Sequence, residues 1–237
     1  MNSQNIVVDI KDTVDRQWKI IKQGEFWQHV ISHGFDAPLY ELMMKQLYYY
    51  TKHNAVNQAM AAVSLRDKPN NRTLRFITRH AAEEIGHENM IVRDLKSIGI
   101  EWNPSVSGAA ECLPATSALI GYLYNVAQNY GAYPRMGYSF WAESVYDDIE
   151  PVLSSMRSSL DLKDSDMSFF VAHSSIDEHH FDEVKKAIDD YQPSEAEIEQ
   201  IHEVATVTLY LTGQLLEQVM QTYRDAHSTP EVQAKSA

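Results

Sequence analysis

Apolar and polar residues follow a helical period along most of the chain, and strand-like alternation bounded by Gly or Asn turns is scarce. The pattern predicts an all-α protein. After a polar start, a helix is expected over Thr13 to Lys22, then a short one over Glu25 to His33 closed by Gly34. A third is expected from Pro38 to Leu65, where MMKQLYYYTKHNAVNQAMAAV is rich in strong helix formers, followed by a turn over Asp67 to Asn71. A fourth runs from Arg72 to Ile98 and stops at Gly99, before a Pro-, Gly- and Ser-rich loop over Glu101 to Pro114. Further helices are expected over Ser117 to Tyr130, Pro134 to Leu160 and Ser165 to Asp190, the last with Ser165 as N-cap. Pro193 opens a final helix that ends near Arg224. No linker divides the chain. One helical domain over 13–226 is expected, between a flexible N-terminus (1–12) and a disordered tail (227–237).

Charge narrows the partners. Among 237 residues, 33 are acidic and 20 basic, a formal net charge of −13 that disfavours nucleic acid and anionic membranes. No apolar run reaches the ~20 residues of a spanning helix, and no signal-peptide pattern opens the chain. The single cysteine, Cys112, excludes an intrachain disulfide, so the expected location is the cytoplasm.

Two of the expected helices carry the same arrangement of donors. His80, Glu84 and His87 lie in HAAEEIGHE, and His173, Asp177 and His180 in HSSIDEHHFDE. Positions i, i+4 and i+7 fall within roughly 60° on a helix, so each trio projects from one face. Imidazole and carboxylate donors without thiolate suit iron or manganese better than structural zinc. Spacing alone leaves both Glu83 and Glu84 open as partners of His87, and leaves His80 open between ligand and supporting residue. Glu143, in YSFWAESVYDDIEP, adds a carboxylate in apolar surroundings, with Asp147 as the alternative. The bland readings are a charged helix face for the first trio and packed or solvated histidines in a chain that has ten. His179 points about 120° away from the His173 face and is assigned to the surface or to a supporting position behind the ligands. Tyr48, Tyr49 and Tyr50, with Lys52 and His53, either approach the pocket or pack in the core.

The motifs EE-x2-H, AES and H-x3-D-x2-H resemble those of the haem-oxygenase-like di-iron oxidases, a likeness that runs from about Glu25 to Tyr223. The resemblance implies a single seven-helix haem-oxygenase-like bundle that binds two Fe(II)/Fe(III) ions, with O2 as co-substrate. It places histidine ligands on His87, His173 and His180 and carboxylates on Glu84 or Glu83, Glu143 and Asp177, with Glu143 and Asp177 as catalytic residues. His80 departs from the pattern, because some members place a carboxylate there. The extra Glu of the preceding helix has no counterpart near Tyr50. Tyr50, Lys52, Phe140 and Phe181 are the expected substrate-pocket residues; a substrate carboxylate would need a cation such as Lys52, Arg72, Arg75 or Arg79, and the alternative reading of each of these is a surface cation that balances acids.

The resemblance also implies oxidation of an amino acid or amino-acid-derived molecule in natural-product biosynthesis, with conversion of a tryptophan-like amino acid to a nitrile as one form. N-hydroxylation and oxidative C–C cleavage or decarboxylation are the alternatives within the family. A metal-free thiaminase-like hydrolase and a non-enzymatic metal-binding bundle are the alternatives outside it. The expected partners are an amino-acid-like small molecule and a second copy of the chain in a homodimer.

Overall fold

The computed structural model describes residues 3–66, 70–107, 111–191 and 193–228, with backbone alone for 3–5, 107 and 175–179. Helices account for all the regular structure in these residues, and no strand occurs among them. The order is α1 (Ser3–Ile21), α2 (Glu25–Ser32), α3 (Ala37–Thr51), α4 (Asn54–Ala62), α5 (Asn71–Glu83) and α6 (Glu88–Ser97). It continues with α7 (Pro104–Ser107), α8 (Pro114–Asn125), α9 (Ala132–Ala142), α10 (Tyr146–Leu160), α11 (Ser168–Tyr191) and α12 (Glu195–His227).

The first helix starts at Ser3 rather than Thr13, so most of the segment expected to be flexible is helical. Ile6, Ile10, Val14, Trp18 and Ile21 recur every three or four residues, and all five are buried. The tail from 229 onward and the turn residues 67–69 lie outside the described residues.

Three of the eight rods expected from the apolar period are broken and the short α7 lies in the expected loop, so twelve helices are described where the resemblance implies seven. Pro38–Leu65 divides at Lys52–His53 into α3 and α4, then tightens into a 3-10 turn over Val63–Arg66. Arg72–Ile98 divides into α5 and α6 at Gly86, whose φ of 90° no other residue type adopts cheaply. Pro134–Leu160 divides into α9 and α10 across Glu143–Val145. The helix expected from Ser117 starts at Pro114 and ends in a π-helical turn over Val126–Tyr130, stopped by Gly131 at φ 91°. Ser165 does not cap α11. It sits in a 3-10 turn (Asp164–Asp166), and the α11 N-terminus is capped from α6: Asp94 accepts from Ser168 N and Phe169 N, each at 2.9 Å.

The long helix α12, started by a Ser194–Glu197 capping box, packs against α9, α1 and α8. Its crossing with α9 is close because residue 137 is glycine; an added Cβ would stand 2.1 Å from Ile201 O. Trp18 meets Trp27 and Trp141 edge-on, with centroids 6.1 and 6.3 Å apart, and joins α1, α2 and α9. Among the described residues, no helix is long and apolar enough to cross a membrane.

Candidate metal centre

The breaks in the helices put donors where an unbroken rod would not. Glu84 is the C-terminal cap of α5, His87 the N-terminal cap of α6 and Glu143 the C-terminal cap of α9. His173 and His180 come from one face of α11, about two turns apart. The fold gathers these residues into two clusters, His80 with Glu143 and His180, and Glu84 with His87 and His173. Within each cluster the candidate donor atoms lie within 4.8 Å of one another.

The first cluster is the more buried, with His80 2% and His180 5% exposed. His80 Nε2 stands 3.2 Å from Glu143 Oε1, and His180 Nδ1 stands 3.4 Å from Glu143 Oε2. In the second, His87 Nδ1 and His173 Nε2 are 3.0 Å apart. That matches the separation of adjacent ligands on an ion bound at about 2.1 Å. Glu84 links the clusters: its Oε1 lies 3.6 Å from both His80 Nε2 and His87 Nδ1. Glu84 and His87 also form the Glu-x-x-His pair used by helical di-metal carboxylate proteins.

Outer contacts orient the imidazoles. His173 Nδ1 donates to Phe169 O at 2.6 Å, which leaves Nε2 with its lone pair toward His87. Glu83 Oε2 is 3.1 Å from His180 Nε2 and supports that ring from the far side. Gln58 Nε2 lies 2.8 Å from His80 Nδ1; turning the amide over presents Oε1 to an Nδ1–H and frees Nε2. His80 Nε2 is buried and makes no hydrogen bond of acceptable geometry. A buried, unsatisfied imidazole nitrogen facing carboxylates is what a metal ligand looks like without its ion.

Titration follows from the same neighbours. Burial alone would push Glu143 up, but the imidazoles of His180 and His80 that face its carboxylate hold it down at about 2. Burial alone would depress His80, but Glu143 and Glu84 raise it to about 9. Burial lowers His87, partly offset by Glu84.

The cavity of about 180 Å³ beside the clusters is lined at one end by His80, Glu84, Glu143 and His173. Toward the other end its walls are apolar, with Trp18, Trp27, Met43, Leu153, Met156 and Phe170 among them. Of the expected pocket residues, Tyr50 lines this cavity, whereas Lys52, Phe140 and Phe181 do not. Lys52 is exposed and lies over the Tyr48 and Tyr49 rings, and Phe140 packs edge-on against Phe181 at 5.0 Å. The expected carboxylate partners are also elsewhere: Arg72 pairs with Asp190, Arg79 with Glu183, and Arg75 is exposed.

Asp147 is exposed and outside both clusters, and the side chains of Asp177 and His179 lie outside the described residues. The cation in the cavity wall is Arg135, which the sequence reading missed. Its signal was a charged residue inside Ala132–Trp141, a stretch buried throughout. A polar chain links this wall to the metal donors. Tyr50 meets Tyr138, Tyr138 OH donates to Asn54 Oδ1 at 3.1 Å, and Asn54 Nδ2 donates to Glu84 Oε2 at 3.4 Å.

The sequence model of a family described as iron-containing redox enzymes matches residues 42–213. A search of curated proteins finds no match. A domain of unknown function with a haem-oxygenase-like fold from Shewanella denitrificans OS217 is 35% identical, with 93% of this chain and 94% of that chain covered and a TM-score of 0.87. A TenA homologue from Pyrococcus furiosus is 15% identical over 92% of this chain and all of its own, with a TM-score of 0.70. Haem oxygenase from Leptospira interrogans is 13% identical over 90% of this chain and 98% of its own, with a TM-score of 0.61. The fold is therefore haem-oxygenase-like; at such identities the last two show the fold alone.

Proposed function

Because the chain belongs to the family of iron-containing redox enzymes, we propose that it is a non-haem oxidoreductase that holds two iron ions and uses dioxygen to oxidise a small organic molecule. The observation that carries this reading is the pair of adjacent clusters, each of two histidines and one glutamate, joined through Glu84. Nitrogen and oxygen donors without thiolate, with few enough protein ligands to leave positions open, suit oxygen-activating iron. Two iron ions bound there would cycle between Fe(II) and Fe(III) and supply the redox equivalents for reducing dioxygen and oxidising the substrate.

The protein's own residues fix the geometry of that chemistry. Gln58, Phe169 O and Glu83 orient His80, His173 and His180, so the donors are preorganised. Asn54 holds one Glu84 oxygen and leaves the other between the clusters. The apolar wall excludes water from the space where a substrate would lie.

A thiaminase-like hydrolase, the reading suggested by the TenA homologues' fold, would need a nucleophile in the cavity. Cys112 is not among the lining residues; it lies in the segment before α8, with Sγ 3.3 Å from Ser117 Oγ.

Metal analysis after anaerobic reconstitution with ferrous iron tests the reading. About two irons per chain are expected, and about one for His173→Ala, since each cluster holds one ion. A wild-type chain that takes up no iron sinks the proposal. An oxygen electrode then separates an oxygen-reactive centre from an inert binding bundle: the ferrous protein should consume oxygen when mixed with air-saturated buffer, and a loaded protein that leaves oxygen untouched is a binding protein.

A further inference from the structure

Three of the chain's four tryptophans stand in one line with a tyrosine. From Trp27 the line runs to Trp18, then to Trp141 and Tyr138, with successive ring centroids 6.1, 6.3 and 5.3 Å apart. At such separations neighbouring rings touch. The inner end reaches the metal donors, because Tyr138 donates to Asn54 and Asn54 to Glu84. The outer end lies beneath Lys22, whose Nζ is 5.7 Å from the Trp27 ring and whose side chain is 36% exposed.

Packing alone does not call for indole along this line. Trp18 Nε1 is buried without a hydrogen-bond partner, a cost that a phenyl ring would not carry. The buried pair Phe26 and Phe35 shows that phenyl packs edge-on in the same core. What indole and phenol have over phenyl is the ease with which each gives up one electron. Electrostatics also give the line a direction. The Arg135 guanidinium lies 5.1 Å from the Tyr138 ring centre, and its hydrogen-bond partners, Asn57 Oδ1 at 2.6 Å and Ser139 Oγ at 2.9 Å, are neutral. That cation disfavours an electron vacancy on Tyr138. At the other end Lys22 is paired with Asp148 at 2.6 Å, which offsets its charge beside Trp27.

Dioxygen takes up four electrons on its way to water, and two ferrous ions supply two of them. A bound substrate supplies the other two; without one, the deficit falls on oxidisable side chains beside the clusters. We propose that Tyr138, Trp141, Trp18 and Trp27 form a relay that passes electrons, one at a time, from a water-soluble one-electron donor at the α2 surface to the metal clusters when dioxygen reacts without substrate. In each transfer Tyr138 gives up an electron and its phenol proton shifts to Asn54 Oδ1. An electron from Trp141 restores the phenol, the proton returns, and the vacancy moves through Trp18 to Trp27, where the donor fills it. In net, no bond in the relay is made or broken, and solvent protons complete the water. The relay rests on the iron-oxidase reading for its electron acceptor alone.

The first test uses the metal-stripped chain. Flash photo-oxidation with tris(bipyridine)ruthenium and persulfate should produce an indole radical that converts to a phenoxyl radical at a rate independent of protein concentration. Trp102 has its own tyrosine neighbours, Tyr48 and Tyr49, so the measurement is made in Trp102→Phe. Adding Trp18→Phe should abolish the conversion while leaving the circular dichroism unchanged; conversion that survives in the folded double variant overturns the proposal. Peptide mapping of the wild type decides the matter even if no variant folds. Ferrous-loaded chain exposed to oxygen without substrate should carry oxidised indole at Trp27, and excess ferrocyanide should suppress it. Oxidation confined to the histidine ligands and Tyr50, or indole oxidation that ferrocyanide does not suppress, overturns the relay. If the stripped chain shows the conversion but takes up no iron, the iron reading falls and the aromatic pathway stands. If the chain takes up iron and consumes oxygen with its tryptophans intact, the relay falls alone.

Discussion

Burial ought to neutralise Glu143, yet its carboxyl is held at about 2 by the two imidazoles it faces, and His80 is raised to about 9 by the carboxylates around it. In the metal-free protein these shifts are stability terms. Glu143 lies below its ordinary 4.5, so its contribution is present above that value and lost as pH falls toward about 2. His80 lies above its ordinary 6.5, so its contribution is complete below 6.5 and lost as pH rises through about 9. Thermal melts of metal-free protein should therefore show falling stability over that upper window, and His80→Gln should flatten the decline. A decline that persists unchanged in the variant assigns it to other groups. His80 was the residue that spacing could not resolve; its role depends on Gln58 and Glu143, which meet it only through tertiary packing. Arg135 was legible in principle as a charge in an apolar run, but nothing in the sequence says that its partners are neutral.

At the scale of elements, the helices themselves were readable because the apolar period is strong, and the same stripe in Ile6 and Ile10 could have placed the start of α1. The breaks were not readable. Gly86 lies within a run that otherwise favours helix, and the turn it makes carries His87 away from the α5 axis and toward His173. An alanine there meets only Asn89 Nδ2, at 3.5 Å, so its penalty is that of the backbone at φ 90°. Gly86→Ala should destabilise by about 1–2 kcal/mol in urea unfolding. A neutral result would mean that the chain reaches His87 without the left-handed turn. Asp94 presents the complementary case, a side chain from α6 that starts α11. Asp94→Ala strips acceptors from Ser168 N and Phe169 N and should cost about 1–3 kcal/mol. It should also weaken iron binding, because Phe169 O orients His173. Unchanged iron affinity in a destabilised variant would confine Asp94 to a structural role.

For the whole molecule, the decisive feature is how closely α9 lies on α12, because α9 bears Arg135 and Tyr138 and ends at Glu143. That proximity is set by Gly137, where a Cβ would meet Ile201 O at 2.1 Å and Ala205 N at 3.0 Å, backbone atoms that have no rotamer to escape into. No period or motif marks this glycine as different from Gly121, which lies mid-helix in α8 with nothing within 4 Å of its Cβ position. Both glycines lie inside helices; only the packing separates them. Gly121→Ala should stabilise the protein by about 0.5–1 kcal/mol through helix propensity. Gly137→Ala should destabilise it by about 1–3 kcal/mol through overpacking, and by moving α9 off α12 it should displace Glu143 from His80 and His180. The expected signature is iron content near one ion per chain in Gly137→Ala and near two in Gly121→Ala, since only the His80–Glu143–His180 cluster depends on the position of α9. If Gly137→Ala folds with both ions retained, the bundle accommodates the extra atom elsewhere and the α9–α12 contact does not set the geometry of the site.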